Sequence, residues 1–497
     1  MKKDRAKALM IQGTGSGVGK SVLVAAFGRI LKEMGISVAP FKAQNMALNS
    51  YVTADGLEMG RAQVYQAEAC GLQPDVRMNP ILLKPSADNC SQVILRGRPD
   101  GNRNARDYYR RYKRHREIVK KTYDELAREY EVIVIEGAGS PAEINLQDRD
   151  LVNMQMAQYA GARVLIVGDI DRGGVFAWMK GTYDLIQEEY KPLVKGFLIN
   201  KFRGDRALLE PGIEMFKKGI NLPVLGVLPY FRDIWVDEED AIPPQARKLE
   251  VDTEKIVIGV VVPPRISNFT DFTPLTLEPD VSLRFLRSPA EIDLCDCLIL
   301  PGSKATLADA VHLRQQGWDV RIKEVCARGT AIVGICGGYQ MLGEKLFDPY
   351  GAESGVQETD GLGLLPVETT IERGKVLRQI CHRTVFSPVF PAGESIFGYE
   401  IHMGLTRVKG HILPLVDTPE TAVAVMSGHS PVLGTYIHGI FDSDQARRSF
   451  INWLRRQKGL PPYTSGFSYQ LFRQEQLDKL AKVVRENCDL ERILRLL

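Results

Sequence analysis

Short apolar segments alternate with segments of helical hydrophobic spacing along the N-terminal half of the chain. Five of the apolar segments are ALMIQ (8–12), VIVIEG (132–137), RVLIVGDID (163–171), GFLINKF (196–202) and VLGVLP (224–229). Strands that are apolar throughout and separated by helices are typical of a parallel sheet covered on both faces. The pattern therefore predicts a doubly wound α/β domain over residues 1–231.

An acidic, proline-containing segment then interrupts the alternation, and residues 232–254 are predicted to be a linker. A second alternating series follows it, with IVIGVVV (256–262), CLILPGS (297–303) and AIVGICGGYQMLG (331–343). A chain of 497 residues is longer than a single hydrophobic core usually sustains. The sequence predicts a second doubly wound α/β domain over residues 255–497.

The composition of the chain limits the classes of binding partner and the compartment that we expect. The chain has 64 Lys and Arg against 61 Asp and Glu, a formal charge of +3, and a nucleic-acid binder would be more basic. We interpret the basic run 102–116 as a solvated helix face, with a polyanionic ligand as the alternative. Eight cysteines without disulfide spacing suit a reducing compartment. No apolar run reaches the roughly 20 residues of a membrane span, and ALMIQ is short for a signal peptide. We expect a cytoplasmic protein without a membrane partner.

A glycine-rich segment lies between the first predicted strand and the first predicted helix. Its candidate nucleotide-binding residues are Gly13, Thr14, Gly15, Gly17, Val18, Gly19, Lys20 and Ser21. Thr14 stands where the usual phosphate loop, G-x-x-x-x-G-K-[ST], has its first glycine. Glycines let backbone N–H groups surround phosphate oxygens, while the lysine reaches the outer phosphates and the serine hydroxyl binds Mg²⁺. The segment predicts binding of ATP with Mg²⁺.

Carboxylates for the metal are expected where parallel strands end. Glu136 closes the apolar strand of VIVIEGAG, and Gly137 and Gly139 leave room for a ligand beside it. Asp55, in TADGLEMG, is a second candidate metal ligand. Lys42, in PFKAQNMALNS, is a candidate catalytic residue that would neutralise a substrate carboxylate or a phosphoryl group in transfer.

The long loop and the EGAG segment together resemble the dethiobiotin-synthetase-like group of P-loop enzymes. Five residues separate Gly13 from Gly19, and the resemblance implies that this extra residue is a trait of the group and not a degraded motif. The resemblance implies an enzyme that uses ATP to activate substrate carboxylates. It also implies that Asn200, in the NK pair of LINKFRG, contacts the adenine.

The second domain has a G-x-C-x-G segment, with Gly334, Cys336 and Gly338, between a predicted strand and a predicted helix. Such a turn exposes a nucleophile among small neighbours, and a following helix favours the thiolate. His438, in GTYIHGIF, ends a late strand and is the candidate base of a Cys–His pair. Both segments resemble class I glutamine amidotransferases. The resemblance implies L-glutamine as nitrogen donor, attacked by the cysteine to release ammonia.

One position departs from that family. Most members have a glutamate two residues after the histidine, and this chain has Ile440. Glu400, in GYEIHMG, or a backbone carbonyl is the expected substitute, because a third group normally fixes the imidazole. His402 could bind a ligand or support the fold. Oxyanion donors are expected among backbone N–H groups at 301–306 and after Cys336.

Together the two domains predict an ATP- and glutamine-dependent amide synthetase. Segments along nearly the whole chain resemble the cobyric acid synthase family: KAQNMALNS, DGLEMGRAQ, MNPILLKP, DIDRGGVFA, INKFRGD, GICGGYQMLG and GYEIHMG. That family amidates four peripheral carboxylates of a corrin ring, converting adenosylcobyrinic acid a,c-diamide to adenosylcobyric acid in cobalamin biosynthesis. An anionic corrinoid would give Lys84 and Arg172 a role in substrate binding.

Four alternatives remain open at this point. Cobyrinate a,c-diamide synthase has the same two-domain plan but lacks the KAQNM segment, and another glutamine-dependent amide synthetase would fit the same motifs. A P-loop partitioning or metal-delivery ATPase would leave Cys336 and His438 without a task. A scaffold with an inactive glutaminase domain would explain Ile440 but not the intact cysteine turn. The sequence leaves the oligomeric state open.

Overall fold

The structure is a computed structural model that describes residues 5–87, 89–231, 233–236, 253–353, 355–420, 422–464 and 466–497. Most of the predicted linker, namely residue 232 and residues 237–252, lies outside the described residues. Within the described ranges, no helix has the length and apolar character needed to cross a bilayer. The elements of each half are numbered below in chain order.

The first half contains a six-stranded, wholly parallel sheet in the order β12-β11-β10-β1-β9-β2. The apolar segments identified in the sequence form its strands, and helices cover both faces. The strands are β1 (Lys7–Gly13), β2 (Val38–Phe41), β3 (Gln44–Met46), β4 (Ser50–Val52), β5 (Glu58–Gly60), β6 (Ile81–Ala87), β7 (Cys90–Leu95), β8 (Arg98–Asn104), β9 (Val132–Glu136), β10 (Arg163–Asp169), β11 (Val194–Phe202) and β12 (Val224–Pro229).

The α-helices of this half are α1 (Lys20–Glu33), α2 (Arg61–Ala69), α3 (Ala105–Arg110), α4 (Tyr112–Glu129), α5 (Met154–Ala160), α6 (Val175–Leu185) and α7 (Arg206–Ile220). Glycines with positive φ bound the first of them: α1 begins after Gly19 (φ 102°) and ends before Gly35 (φ 77°). The basic run 102–116 covers the end of β8, α3 and the start of α4, and most of its residues are exposed or partly exposed, as expected for a solvated face.

Two smaller sheets lie beside the parallel sheet and were not predicted. Strands β3, β6, β7 and β8 form a four-stranded sheet, and β4 pairs with β5 as an antiparallel hairpin. The KAQNM, DGLEMG and MNPILLKP segments lie in and around these strands. The segments that distinguish this chain from a plain P-loop domain therefore build the insertion between β2 and α4.

The second half contains a seven-stranded sheet in the order β15-β13-β16-β18-β25-β24-β23, antiparallel only at β24 and β23. The strands are β13 (Ile256–Val261), β14 (Ile266–Ser267), β15 (Val281–Leu286), β16 (Cys297–Leu300), β17 (Gly302–Ser303), β18 (Ala331–Ile335), β19 (Lys345–Phe347), β20 (Glu358–Asp360), β21 (Val367–Arg383), β22 (Ser395–Val408), β23 (Ile412–Pro414), β24 (Ala424–Ser427) and β25 (Val432–Thr435).

The α-helices of the second half are α8 (Thr273–Thr276), α9 (Thr306–Gln315), α10 (Trp318–Ala327), α11 (Gly337–Leu342), α12 (Asp444–Gln457), α13 (Tyr469–Asn487) and α14 (Leu490–Leu494). Strands β21 and β22 form a long antiparallel pair that reaches the first domain. At that contact Gln379, on β21, donates a side-chain hydrogen bond to the backbone oxygen of Val52 on β4.

The last two helices pack mainly on the first domain. Leu477, Leu480 and Val484 on α13 are buried in one cluster with residues of β1 and α1. At the edge of this contact, Arg29 on α1 donates to Asp478 with a 2.8 Å Nε–Oδ1 distance. The predicted range 255–497 therefore takes in a segment whose packing belongs to the P-loop sheet. Only long-range contact places it there, because an amphipathic helix does not specify which sheet it covers.

Shortening Leu480 to alanine is expected to lower the thermal stability of the first domain. The side chain is fully buried, and a Leu→Ala change in a core costs about 2–5 kcal/mol. Leu471→Ala on the same helix is the matched control, because Leu471 is 65% exposed. Calorimetry of both variants, with the unfolding transitions of the two domains followed separately, checks this. Equal stabilities in the two variants would contradict the assignment of α13 to the first domain.

Candidate active sites

The phosphate loop joins β1 to α1 and is closely packed at both of its outer glycines. A Cβ atom on Gly13 would lie 2.6 Å from Cγ2 of Val18, and one on Gly19 would lie 2.2 Å from Nδ2 of Asn200. Thr14 donates its backbone N–H to the carbonyl of Val167 on β10, 2.9 Å away. In this longer loop, glycine is therefore needed at position 13. Thr14 is tolerated at position 14, where its backbone N–H continues the hydrogen bonding of the sheet.

Two lysines converge on this loop. Lys20 Nζ lies 2.8 Å from the carbonyl of Gly15 and 3.2 Å from that of Gly139, so it spans the loop and the EGAG turn. Lys201 Nζ donates to the carbonyl of Gly17 and to Asp169 Oδ2, at 2.8 and 2.9 Å. The arrangement concentrates positive charge where phosphates would bind.

A buried polar cluster surrounds Glu136 at the end of β9. Its Oε1 accepts from Ser21 Oγ at 2.8 Å and pairs with Lys42 Nζ at 2.9 Å, and its Oε2 accepts from Gln66 Nε2 at 2.5 Å. Burial alone would raise the pKa of Glu136, but Lys42, Gln66 and Ser21 outweigh burial and hold the pKa below its usual value. The carboxylate is therefore ionised beside the phosphate loop. Gln66 has no motif that would have singled it out.

The two remaining candidate residues of the nucleotide site, Asp55 and Asn200, lie in different parts of the first domain. Asp55 lies in the turn between β4 and β5, exposed, and its neighbour Gly56 approaches the backbone oxygen of Leu377 in the second domain. Asn200 lies behind the phosphate loop and donates to the carbonyl of Val18 at 2.9 Å. Among the described residues no three His, Cys, Asp or Glu side chains cluster as a metal site. Ser21 and Glu136 are in hydrogen-bond contact, whereas Asp55 is exposed in a turn that approaches the second domain, so we leave Asp55 out of the metal site.

Cys336 occupies the turn between β18 and α11 with φ 51° and ψ −108°. A residue with a side chain rarely adopts positive φ, and such strain is typical of a nucleophile turn. Its neighbours have to be small: a Cβ on Gly338 would lie 1.9 Å from the backbone oxygen of Leu300, and one on Gly334 would lie 2.6 Å from the nitrogen of Tyr339. The local geometry expected from the G-x-C-x-G segment is present.

The group that orients His438 is Asp271. Asp271 Oδ2 lies 2.6 Å from His438 Nδ1, and Asp271 Oδ1 accepts the backbone N–H of Gly439 at 3.1 Å. Both side chains are buried. Asp271 lies in a short 3₁₀ helix, Phe269–Phe272, at a separation of 167 residues from the histidine. No spacing rule connects the two positions, which is why the sequence analysis missed this carboxylate.

The electrostatics of the pair favour a charged histidine. Burial alone would lower the pKa of His438, but Asp271 and the hydrogen bond with Cys336 raise it to about 10. At neutral pH the imidazole is therefore protonated, and the second ring nitrogen faces the sulfur. A Cys–His pair in this state is suited to nucleophilic attack, since the imidazolium stabilises a thiolate.

Glu400 does not orient His438, contrary to the expectation from the sequence. Its Oε2 lies 3.1 Å from His402 Nε2, and its Oε1 accepts from Arg378 Nε, also at 3.1 Å. His402 Nδ1 faces the backbone oxygen of Gly404 at 2.9 Å, and its ring stacks on Tyr436 with 3.8 Å between centroids. His402 thus belongs to a separate polar network in the wall of the Cys336 pocket.

Two backbone amides lie beside the nucleophile. A Cβ on Gly337, the residue after Cys336, would lie 2.8 Å from the nitrogen of Ser303, so these two backbones are in direct contact. Ser303 ends β17, in the PGSKAT segment singled out by the sequence. Both amides lie in the segments where the sequence predicts the oxyanion donors.

A chain of hydrogen bonds connects His438 to the first domain. The backbones of His438 and Tyr399 exchange hydrogen bonds of 2.9 and 3.1 Å. The Tyr399 hydroxyl donates to the carbonyl of Ser50 on β4 and accepts from Asn268 Nδ2, while Asn268 Oδ1 accepts the N–H of Ser50. The position of the base is therefore fixed by contacts with both domains.

Comparison with known families agrees with this division into two sites. Residues 9–243 match the CobQ/CobB/MinD/ParA nucleotide binding domain family, and residues 257–446 match the CobB/CobQ-like glutamine amidotransferase domain family. The two matched ranges contain the phosphate loop and the Cys336 turn, respectively. The family of each half is therefore shown independently of the other.

Curated relatives match along almost the whole chain. The cobyric acid synthase of Caldanaerobacter subterraneus subsp. tengcongensis is 46% identical over 506 residues, and that of Clostridium botulinum is 48% identical over 492; each comparison covers 98% of both chains. The cobyric acid synthase of Dehalococcoides mccartyi is 45% identical and covers 99% of this chain and 98% of its own. With both domains matched and nearly half of all positions identical, the chain belongs to the cobyric acid synthase family.

Proposed function

We propose that this chain uses ATP and glutamine to amidate carboxylates of an anionic corrinoid, as cobyric acid synthase does in cobalamin biosynthesis. The observation that carries the proposal is the 2.6 Å contact between His438 and Asp271, which supplies the orienting carboxylate that Ile440 cannot. An ATPase that had lost its glutaminase would have no reason to keep a buried Cys–His–Asp set. The residue roles below are part of the proposal.

In the glutaminase site, Cys336 Sγ attacks the side-chain amide carbon of glutamine, and the backbone amides of Gly337 and Ser303 stabilise the oxyanion. His438 gives its proton to the departing nitrogen as the C–N bond breaks, so ammonia leaves and a thioester remains. A water molecule, deprotonated by His438, then attacks the thioester carbon. The C–S bond breaks, glutamate is released and the Cys–His pair is regenerated.

In the synthetase site, a substrate carboxylate oxygen attacks the γ-phosphorus of ATP, and ADP leaves. Ammonia attacks the resulting acyl phosphate at carbon, and phosphate leaves as the amide forms. The loop from Gly13 to Ser21 holds the phosphates, with Lys20 beside the outer ones, and Lys42 neutralises the reacting oxygens. Asn200 Oδ1 is buried and has no hydrogen-bond partner among the described residues, and it is the proposed acceptor for the adenine amino group.

Mg²⁺ fits the same site by the chemistry of its donors. Ser21 and Glu136 would hold it, because a hydroxyl and a carboxylate oxygen already meet at 2.8 Å beside the loop. A magnesium ion in a nucleotide site needs few protein ligands, since phosphates and water supply the rest. When bound, it supplies charge neutralisation during phosphoryl transfer.

Changing Cys336 to alanine is expected to abolish glutamine-dependent synthesis while ammonium-dependent synthesis persists, because the thiolate serves only to release ammonia. The measurement is ADP release that requires both a nitrogen source and a corrin a,c-diamide. Ser303→Ala, which keeps the backbone amide, is the control. Loss of both activities in a folded Cys336→Ala protein would contradict the assignment of two separate sites.

Changing Lys20 to methionine is expected to lower synthesis by about 10² or more with either nitrogen source, because the outer phosphates lose their cation in the transition state. Glutamine hydrolysis should persist, since Lys20 contacts the loop and the EGAG turn of the first domain. Lys180→Met is the control: Lys180 is exposed on α6 and pairs with Asp184. A normal rate of ADP release in Lys20→Met would rule out this loop as the ATP site.

Changing Asp271 to asparagine is expected to reduce glutamine hydrolysis by about 10² to 10⁴, because the imidazole loses its orienting carboxylate. Asp271 raises the pKa of His438 to about 10, so its removal should move the alkaline limb of the kcat/KM profile to lower pH. The pH profiles of both proteins test the sign. Ammonium-dependent synthesis should be unchanged, and an unmoved alkaline limb would exclude Asp271 as the partner of His438.

A further inference from the structure

The pocket that contains Cys336 and His438 has charged residues in its wall that the glutaminase chemistry does not use. They are Lys84, Lys304, Glu353 and Lys375. Lys84 lies on β6 in the first domain, whereas the other three belong to the second. The pocket is therefore shared between the domains.

Two of the lysines are held by a single buried carboxylate. Glu58 on β5 is completely buried; its Oε1 lies 3.0 Å from Lys84 Nζ, and its Oε2 lies 2.5 Å from Lys375 Nζ. Lys84 also donates to Ser50 Oγ at 2.8 Å. One carboxylate cannot balance two ammonium groups. Burial lowers the pKa of Lys375 to about 7; Glu58 opposes this shift, and Lys84 adds to it.

Lys304 and Glu353 complete the charged wall. Lys304 Nζ donates to Gln92 Oε1 of the first domain at 3.1 Å, and Glu353 Oε2 accepts the backbone N–H of Thr306 at 2.9 Å. Burial, with Lys84 adding to it, lowers the pKa of Lys304. Burial likewise raises the pKa of Glu353. Each group would be stabilised in its charged form by an incoming group of opposite charge.

Glutamine brings that combination of charges into the pocket. Its side-chain amide must reach Cys336, and a short aliphatic chain away lie an α-carboxylate and an α-ammonium group. Burying either group costs free energy unless it meets an opposite charge with hydrogen bonds. Three lysines and one glutamate in the wall of the same pocket can supply both partners.

We propose that Lys304, with Lys84 and Lys375, binds the α-carboxylate of glutamine, and that Glu353 binds its α-ammonium group. This inference rests on the proposed glutaminase function and assigns the residues that select the free amino acid. Because Lys84 and Gln92 belong to the synthetase domain, the glutamine site is complete only when the two domains are docked. Glutamine binding is thereby tied to the arrangement needed for amide synthesis.

The main test is Lys304→Met in the full-length protein. The KM for glutamine should rise at least about tenfold, because a charged partner of the substrate is lost, while kcat for hydrolysis stays within about threefold. Ammonium-dependent synthesis should be unchanged, which shows that the synthetase domain is folded, and the retained kcat for hydrolysis shows the same for the glutaminase domain. Lys345→Met is the matched control: Lys345 pairs with Glu358 on the surface of the same domain.

Glutamine analogues make the test specific for each end group. Replacing glutamine by 4-aminobutanamide, which lacks the α-carboxylate, should lower kcat/KM strongly in the native protein and by less than about threefold in Lys304→Met. Glutaramate lacks the α-amino group. Replacing glutamine by glutaramate should likewise lower kcat/KM far less in Glu353→Gln than in the native protein. A merely structural role would leave these analogue ratios as they are in the native protein.

Three results would overturn the inference. One is an unchanged KM in Lys304→Met. Another is analogue ratios in both variants equal to those of the native protein. The third is normal glutamine kinetics with loss of amide formation from glutamine alone, which would place the cluster on the path of ammonia instead. Failure of the proposed function would give a different result. The native protein would then either not hydrolyse glutamine or hydrolyse it at a rate that Cys336→Ala does not abolish.

Discussion

The relation between the two domains depends on the buried carboxylate of Glu58. Its oxygens take one lysine from each domain, Lys84 on β6 and Lys375 on β21. The buried carboxylate needs both lysines, because removing either one leaves an uncompensated charge in the interior. Separation of the domains would break the Lys375 pair and leave charged groups of both surfaces to be solvated again. The ion pair thereby favours one docked arrangement.

The docked arrangement of the two domains determines the geometry of the glutaminase site as well as the residues that line it. Tyr399 exchanges backbone hydrogen bonds with His438, and its hydroxyl is bonded to Ser50 of the first domain. On its other side His438 is fixed by Asp271. A base held in this way needs no carboxylate two residues further along the chain. Ile440 is accordingly free to be an apolar core residue, and it is buried in the hydrophobic cluster of the second domain.

The two sites differ in how their charges are balanced. In the synthetase site, Lys42 and Glu136 form a buried pair with a 2.9 Å contact, and Ser21 and Gln66 complete the hydrogen bonds of the carboxylate. In the Cys336 pocket, lysines outnumber carboxylates, and burial and neighbouring lysines lower the pKa values of Lys304 and Lys375. A paired site suits a metal–nucleotide complex that brings its own opposite charges. A site with an excess of cations suits a substrate with a free carboxylate.

The sequence by itself determined the parallel sheet of the first domain, the central parallel strands of the second sheet, the phosphate loop and the strained cysteine turn. Each of these depends on residues close together in the chain: an apolar run, a glycine at a fixed offset, a helix behind it. It also predicted His438 as the candidate base, because a histidine at a strand end lies where catalytic groups of α/β folds are found. It could not identify Asp271, Gln66 or the lysine cluster. These residues contact partners that are far away in the sequence, and they lie in loops and antiparallel strands whose sequences carry no periodic signal. The packing of α13 on the first domain was hidden for the same reason. Only tertiary structure decides such contacts, because the partner of a buried charge or an apolar face is fixed by which surfaces meet and not by the local pattern.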